Sequence, residues 1–218
     1  MQGVARTVRS DGHGHTRLLL SGAAGCFTGY VALASSEALL GLDDRARGLV
    51  GAVRNDLLTA PVEVLTSLGD AVGLIPLIGL TMLLLWRSYR RWALALPLVM
   101  AGAGALQWLA KWLADRPRPD ATAMGFPSGH VLTLVVLFGL IAYLAAGSGR
   151  RAWTLAGCAV CPLMVISVGF TRLYLDRHWL SDLGGGLMIG LAYLLVVIWL
   201  VDVVCPRGLA ADRQAGDS

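Results

Sequence analysis

The sequence predicts an all-α, polytopic membrane protein with six transmembrane helices and an additional interfacial helix between the first and second spans. Three observations carry this. Hydrophobic residues make up 56% and charged residues 15% of the 218, and the mean hydropathy is +0.66, which is too apolar for a soluble domain. Long apolar runs reach the length needed to cross a hydrocarbon core of about 30 Å at about 1.5 Å per helical residue. Two of the turns between them, at 87–91 and 149–151, carry basic charge and no acid.

The first span covers Leu18 to Leu40. Residues 43–60 place Leu49, Val50, Val53, Leu57 and Leu58 at helical spacing, but Asp43, Asp44, Arg45, Arg47, Arg54 and Asp56 are too many charges to bury in lipid. They predict one helix lying on the surface. Pro61 to Asp70 reads as interfacial, and Ala71 to Trp86 as a short second span extended back into that turn. Arg87, Arg90 and Arg91 end it. The third span, Trp92 to Trp112, holds the small-residue patch Ala101-Gly102-Ala103-Gly104-Ala105, which suits close helix approach. A polar loop, Leu113 to Ser128, leads to the fourth span, Gly129 to Ala146; the fifth is Ala152 to Phe170 and the sixth Leu183 to Val204. Gly184-Gly185-Gly186 at the start of the sixth reads as tight helix packing, since no P-loop pattern surrounds it. Residues 1–17 and 205–218 read as tails, the first disordered, and 18–204 as the six-helix domain. Residues 1–17 also lack a small-x-small cleavage site after a short apolar core, so no removed signal peptide is expected.

Six spans place both termini on one side, together with the basic turns at 87–91 and 149–151. The positive-inside rule puts that side in the cytoplasm of a cell (inner or plasma) membrane. The ends of spans three and five and the starts of spans four and six then face the exterior. Basic loops at a bilayer surface account for the pI of about 9.1, so nucleic acid is not an expected partner. Cys26, Cys158, Cys161 and Cys205 fall within or at the ends of apolar runs and read as small apolar filler. His13 and His15 stand in a Gly- and Arg-rich tail, and no metal is assigned there.

Of 18 basic residues only Lys111 is lysine. It stands at the end of the third span in Lys111-Trp-Leu-Ala-Asp-Arg-Pro-Arg118-Pro119. A point charge and a bidentate fork together suit a tetrahedral oxyanion. Pro127-Ser128-Gly129-His130 opens the fourth span: Ser128 is a candidate N-cap, the free first-turn N–H groups offer an anion site, and Gly129 permits close backbone approach. Between the fifth and sixth spans lie Arg172, a further fork of donors, His178 and Asp182. If a helix opens at Leu180, His178 and Asp182 are one turn apart, and the carboxylate can hold one ring nitrogen while the other faces a substrate. Two histidines beside a cationic pocket fit phosphoryl transfer through a phosphohistidine, with His178 as nucleophile because Asp182 fixes its tautomer, and His130 as the acid. No acidic cluster suggests a metal, so no cofactor is expected. Asp176 and Arg177 read as surface charges.

The three segments, K-x6-R-P (111–119), P-S-G-H (127–130) and R-x5-H-x3-D (172–182), resemble the signature of the type-2 phosphatidic acid phosphatase superfamily. That superfamily includes lipid phosphate phosphatases, undecaprenyl-diphosphate phosphatases and the soluble vanadium haloperoxidases. Thr171 stands where the family commonly has Ser, and the hydroxyl is kept. The resemblance implies catalytic His178, His130 and Asp182, with Lys111, Arg118, Ser128, Gly129 and Arg172 as phosphate ligands. It implies metal-independent hydrolysis of a lipid phosphate or diphosphate, with undecaprenyl diphosphate, phosphatidylglycerophosphate and phosphatidic acid as candidates. A phosphotransferase using the same phosphohistidine, a vanadate-loaded haloperoxidase, and a non-catalytic lipid-binding or transport protein are the competing readings. The oligomeric state is not legible.

Overall fold

The computed structural model describes residues 2–35 and 39–204. Eight α-helices follow in order: α1 Gln2–Ser35, α2 Leu40–Ala52, α3 Asp56–Thr66, α4 Ala71–Leu85, α5 Arg90–Ala114, α6 Gly129–Ala146, α7 Arg151–Tyr174 and α8 Leu180–Val204. A single 3₁₀ turn, Ser67–Gly69, joins α3 to α4, and no strand forms among the described residues. Four of these helices, α5 to α8, are long and apolar enough to cross a membrane; α3 and α4, bent by 55°, qualify together as a fifth. The sequence predicts six. The difference arises because α4 alone has 15 residues, too few to span, and because the predicted first span runs through residues 36–38, which lie outside those described.

α6 is the centre of the bundle. Eleven of its eighteen residues are buried, and its whole circumference is apolar, as a helix enclosed by others requires. α7 and α8 pack extensively on α6, while α1 packs along α8. The α1–α8 pair is antiparallel: Gly22 meets Leu195 and Gly29 meets Met188, and the Tyr30 ring reaches Phe126 beyond the start of α6, with centroids 5.3 Å apart. Small residues allow the closest crossings. A side chain on Gly185 would strike the Phe126 ring, and one on Gly186 would lie 2.5 Å from the Ser128 carbonyl. The Gly-rich start of the sixth predicted span is therefore a packing device. In the third span, the space beside Gly102 is filled by Tyr193 of α8, whose hydroxyl donates to the Val99 carbonyl at 2.8 Å.

Several predicted boundaries need correction. The single interfacial helix over 43–60 is two helices, because Asn55 takes an extended conformation and its side chain accepts from Leu58 N–H, capping α3. Nor does its charge all face outward, since Asp43 is 2% exposed. Residues 2–17, read as a disordered tail, continue α1; no proline interrupts them. The fourth span has the predicted limits, while α7 runs four residues past Phe170 and α8 begins at Leu180. The tail from 205 onward, with Cys205, lies outside the described residues.

Gly186→Ala is expected to force the Ser128 turn away from α8. At a typical overpacking cost of about 1–3 kcal/mol, the unfolding temperature in detergent should drop by about 3–10 °C. Gly104→Ala, with nothing near its added methyl, should leave it unchanged.

Candidate active site

All three motif segments lie at one end of the bundle, and the start of α8 organises them. Asp182 stands at the third position of that helix, where an acidic side chain reaches back to the helix start. Its Oδ2 accepts from Trp179 N–H at 2.9 Å and lies 3.1 Å from His178 Nδ1. Its backbone carbonyl accepts from Ser128 N–H at 2.9 Å, which pins the opening of α6 to that of α8. Asp182 is 0% and His178 4% exposed. With Nδ1 turned to the carboxylate, Nε2 is the nitrogen left to meet a substrate.

Around this pair the other predicted residues gather. Lys111 donates from Nζ to the Met124 carbonyl at 2.7 Å, closing the loop between α5 and α6. Arg118 lies near enough for its charge to act on both Lys111 and Arg172. Arg172 donates from Nη1 to Thr66 Oγ1 at 2.9 Å. Ser128 is fully buried and its hydroxyl makes no cap bond. Gly129 is buried, and the amide of Gln107 occupies the place of its missing side chain. His130 sets its Nε2 3.0 Å from Asp70 Oδ1.

Six buried side-chain polar atoms among the described residues have no hydrogen-bond partner within the chain. Five of them are Arg118 Nε, Ser128 Oγ, His130 Nε2, Arg172 Nε and Asp182 Oδ1. Buried donors without partners are costly and rare. Here they come from the α5–α6 loop, α6 and α7 and accompany three mutually repelling cations, an arrangement that an oxyanion would relieve.

Sequence reasoning missed a second ring of polar residues. Asp43 on α2 accepts from Ser181 N–H at 2.8 Å and Ser181 O–H at 2.6 Å, and from Arg116 Nη2 at 2.8 Å. Arg116 Nη1 also donates to Ser181 Oγ and lies 3.5 Å from Asp182 Oδ1. Gln107 and Lys111, four apart on α5, share a helix face, a spacing that could have revealed the first. Asp176, read as a surface charge, forms a paired contact with Arg47 at 2.8 and 2.6 Å, tying α2 to the α7–α8 turn. Arg177 contributes its backbone N–H to the Arg172 carbonyl. Cys158 is exposed and Cys161 buried; both are free.

Membrane-length helices enclosing a buried His–Asp pair and converging cations define a multi-pass membrane protein with a buried cationic centre. A sequence profile of the PAP2 superfamily matches residues 92–204, and the chain belongs to that superfamily. It is 26% identical over 160 residues, 66% of its length, to phosphatidylglycerophosphatase B of Bacillus subtilis (strain 168), 76% of which is covered. It is 29% identical over 119 residues, 54% of its length, to a lipid A 1-phosphatase of Porphyromonas gingivalis, where the match spans only 26% of that longer protein. Among solved structures, the crystal structure of a transmembrane PAP2-type phosphatidylglycerolphosphate phosphatase from Bacillus subtilis shares the fold. Its TM-score is 0.75 at 22% identity, covering 85% of this chain and 98% of that one.

Burial pushes the His178 pKa down, helped by the charges of Lys111 and Arg172, while the Asp182 hydrogen bond and charge oppose the shift. His178 should therefore protonate below the ordinary histidine value of about 6.5, leaving the ring neutral at pH 7. NMR titration of histidine-labelled protein should show this, and Asp182→Asn should lower the midpoint further by removing the charge that favours the imidazolium. A midpoint at or above the ordinary value contradicts this account.

Proposed function

We propose that the protein hydrolyses a lipid phosphate or diphosphate through a phosphohistidine formed on His178. The observation that carries this reading is the set of unpartnered buried polar atoms on Arg118, Ser128, His130 and Arg172 beside the His178–Asp182 pair. Lys111, Arg118, Arg172, the Ser128 hydroxyl and the first-turn N–H groups of α6 beginning at Gly129 bind the phosphoryl oxygens. In that frame the free nitrogen of His178 attacks phosphorus and Asp182 stabilises the resulting imidazolium. His130 protonates the leaving oxygen and later deprotonates the attacking water. The cationic side chains stabilise the charge that develops on the phosphoryl group.

A lipid substrate is supported by the membrane-length helices and by a cleft of about 770 Å³ between α7 and α8, floored by α6. Aliphatic residues such as Val135, Val165 and Leu187 line it, and its polar lining residues are Asp43 and Ser181, the latter adjoining Asp182 in sequence. Phosphatidylglycerophosphate and lipid A phosphates, named for the relatives, join undecaprenyl diphosphate and phosphatidic acid as candidates. α1 beside α8 and the bent α3–α4 pair complete six spans. The basic turns at 87–91 and 149–151 then face the cytoplasm and the site faces the exterior.

Purified protein assayed against polyprenyl and glycerolipid phosphates should release one phosphate per lipid consumed. His178→Ala should lower turnover by about a thousandfold or more, as loss of a covalent nucleophile does. Acid quenching of the wild type with labelled substrate should trap label on histidine, and EDTA should leave the rate unchanged. Lipid consumption without phosphate release would identify a phosphotransferase. Mg²⁺-dependent turnover, or full activity in His178→Ala, would refute the mechanism.

A further inference from the structure

The 3₁₀ turn and bend between α3 and α4 form a wall of the site that none of the three motifs includes. Gly69 lies flat against His130: a Cβ there would fall 2.7 Å from the imidazole Cγ and 3.0 Å from Cβ. Only a residue without a side chain lets the backbone come this close. The next residue, Asp70, occupies the N-cap of α4, where an aspartate ordinarily accepts from the first-turn N–H groups. It makes no such cap bond. Its Oδ1 instead lies 3.0 Å from His130 Nε2, out of line for a hydrogen bond but within ion-pair range. One turn earlier, Thr66 accepts from Arg172, so the same bend touches both the candidate acid and a candidate phosphate ligand.

The charged and titratable groups acting on His130 are Asp70 from the bend, Arg172 from α7 and His178 from the α7–α8 turn. Asp70 is the acid among them. We propose that Asp70 is a positioning residue for the second histidine, orienting the His130 ring and favouring the protonated form from which it donates to the leaving group. The inference rests on the phosphohistidine reading. As His178 Nε2 forms its bond to phosphorus, the bond from phosphorus to the lipid oxygen breaks and its electron pair stays on that oxygen. The proton of His130 moves to the same oxygen and leaves a neutral imidazole. When water attacks, His130 takes up one of its protons, the new P–O bond forms, and the N–P electron pair returns to His178. Asp70 offsets the nearby positive charge of Arg172 whenever His130 carries its proton. With its side chain 50% exposed, it can yield its place to the incoming leaving oxygen.

The test compares Asp70→Asn with wild type on two probes, dioctanoyl phosphatidic acid, whose alkoxide leaves poorly, and p-nitrophenyl phosphate, whose phenolate needs little protonation. General-acid assistance is worth about 10²–10⁴-fold, so losing part of it should lower kcat on the alkyl phosphate by about 10–100-fold. The aryl phosphate should change by less than about threefold on the same reasoning. The alkaline limb of the kcat profile on the alkyl phosphate should move to lower pH, and Asp70→Glu should recover part of the loss. In a His130→Gln background, Asp70→Asn should have no further effect, since the residue acts through the histidine. Equal losses on both probes, an unmoved alkaline limb, or a full additional loss in the His130→Gln background would overturn the assignment. An active His178→Ala enzyme would instead overturn the phosphohistidine itself, so the two failures are distinguishable.

Discussion

Everything at the polar end of this bundle depends on burying one carboxylate. Asp182 is fully enclosed, and a charge taken out of water must find partners or be neutralised. It finds them in Trp179 N–H and His178 through one oxygen, with the Arg116 guanidinium beside the other. The same residue's backbone holds Ser128. Four demands thus converge on one position: starting α8, fixing a histidine tautomer, joining α6 to α8, and balancing an arginine. The outer ring exists to keep that position in place. Asp43 holds Ser181, the residue just before Asp182, and Arg116 bridges both; Trp179 Nε1 donates to the Pro117 carbonyl at 3.1 Å.

The first ring of the site is local in sequence and so was legible. His178 and Asp182 are four residues apart, Ser128 to His130 are consecutive, and Lys111 and Arg118 flank the end of α5. Each could be read from spacing and from the contrast of polar residues with apolar surroundings. The helix of the fourth predicted span was legible because Ser128-Gly129 marks its start and uniform apolarity marks its extent. The second ring joins residues 138, 106 and 73 positions apart, as in Asp43 to Ser181, Thr66 to Arg172 and Arg116 to Asp43. Such pairs are set by which helices pack together, which periodicity does not encode. Asp43 was misjudged for a related reason: in a segment with six charges, the one turned inward is indistinguishable by composition from those turned out.

The region 43–70 shows where hydropathy alone is least decisive. A 15-residue α4 and a charged preceding stretch suggest a short span with an interfacial prelude. The bend instead joins two short helices that only together reach membrane length, and breaks in membrane helices are tolerated where freed backbone groups are satisfied or line a polar cavity. Here Asp70 N–H donates to the Ser67 carbonyl, and the Asp70 carbonyl accepts from Gly73 and Leu74. These bonds are made without the Asp70 side chain. That frees the carboxylate for His130, and the absence of a side chain at Gly69 gives the ring its seat.

The two halves of the proposed substrate site differ in kind. The headgroup end is over-determined, with charges cross-linked between α2, α5, α6, α7 and α8, and a displacement of one residue would leave several buried groups unpaired. The cleft between α7 and α8 is lined almost wholly by aliphatic side chains, where fit depends on area rather than direction. An extra methylene in such a groove changes binding by about 1 kcal/mol, whereas an unmatched buried charge costs several. In the proposed reaction, discrimination between lipids then resides mainly in what would surround the phosphate: the cations Lys111, Arg118 and Arg172, and the polar residues of the α3–α4 bend. On the proposed function, the tail is weakly encoded in the sequence for the same physical reason that an aliphatic groove would select it weakly.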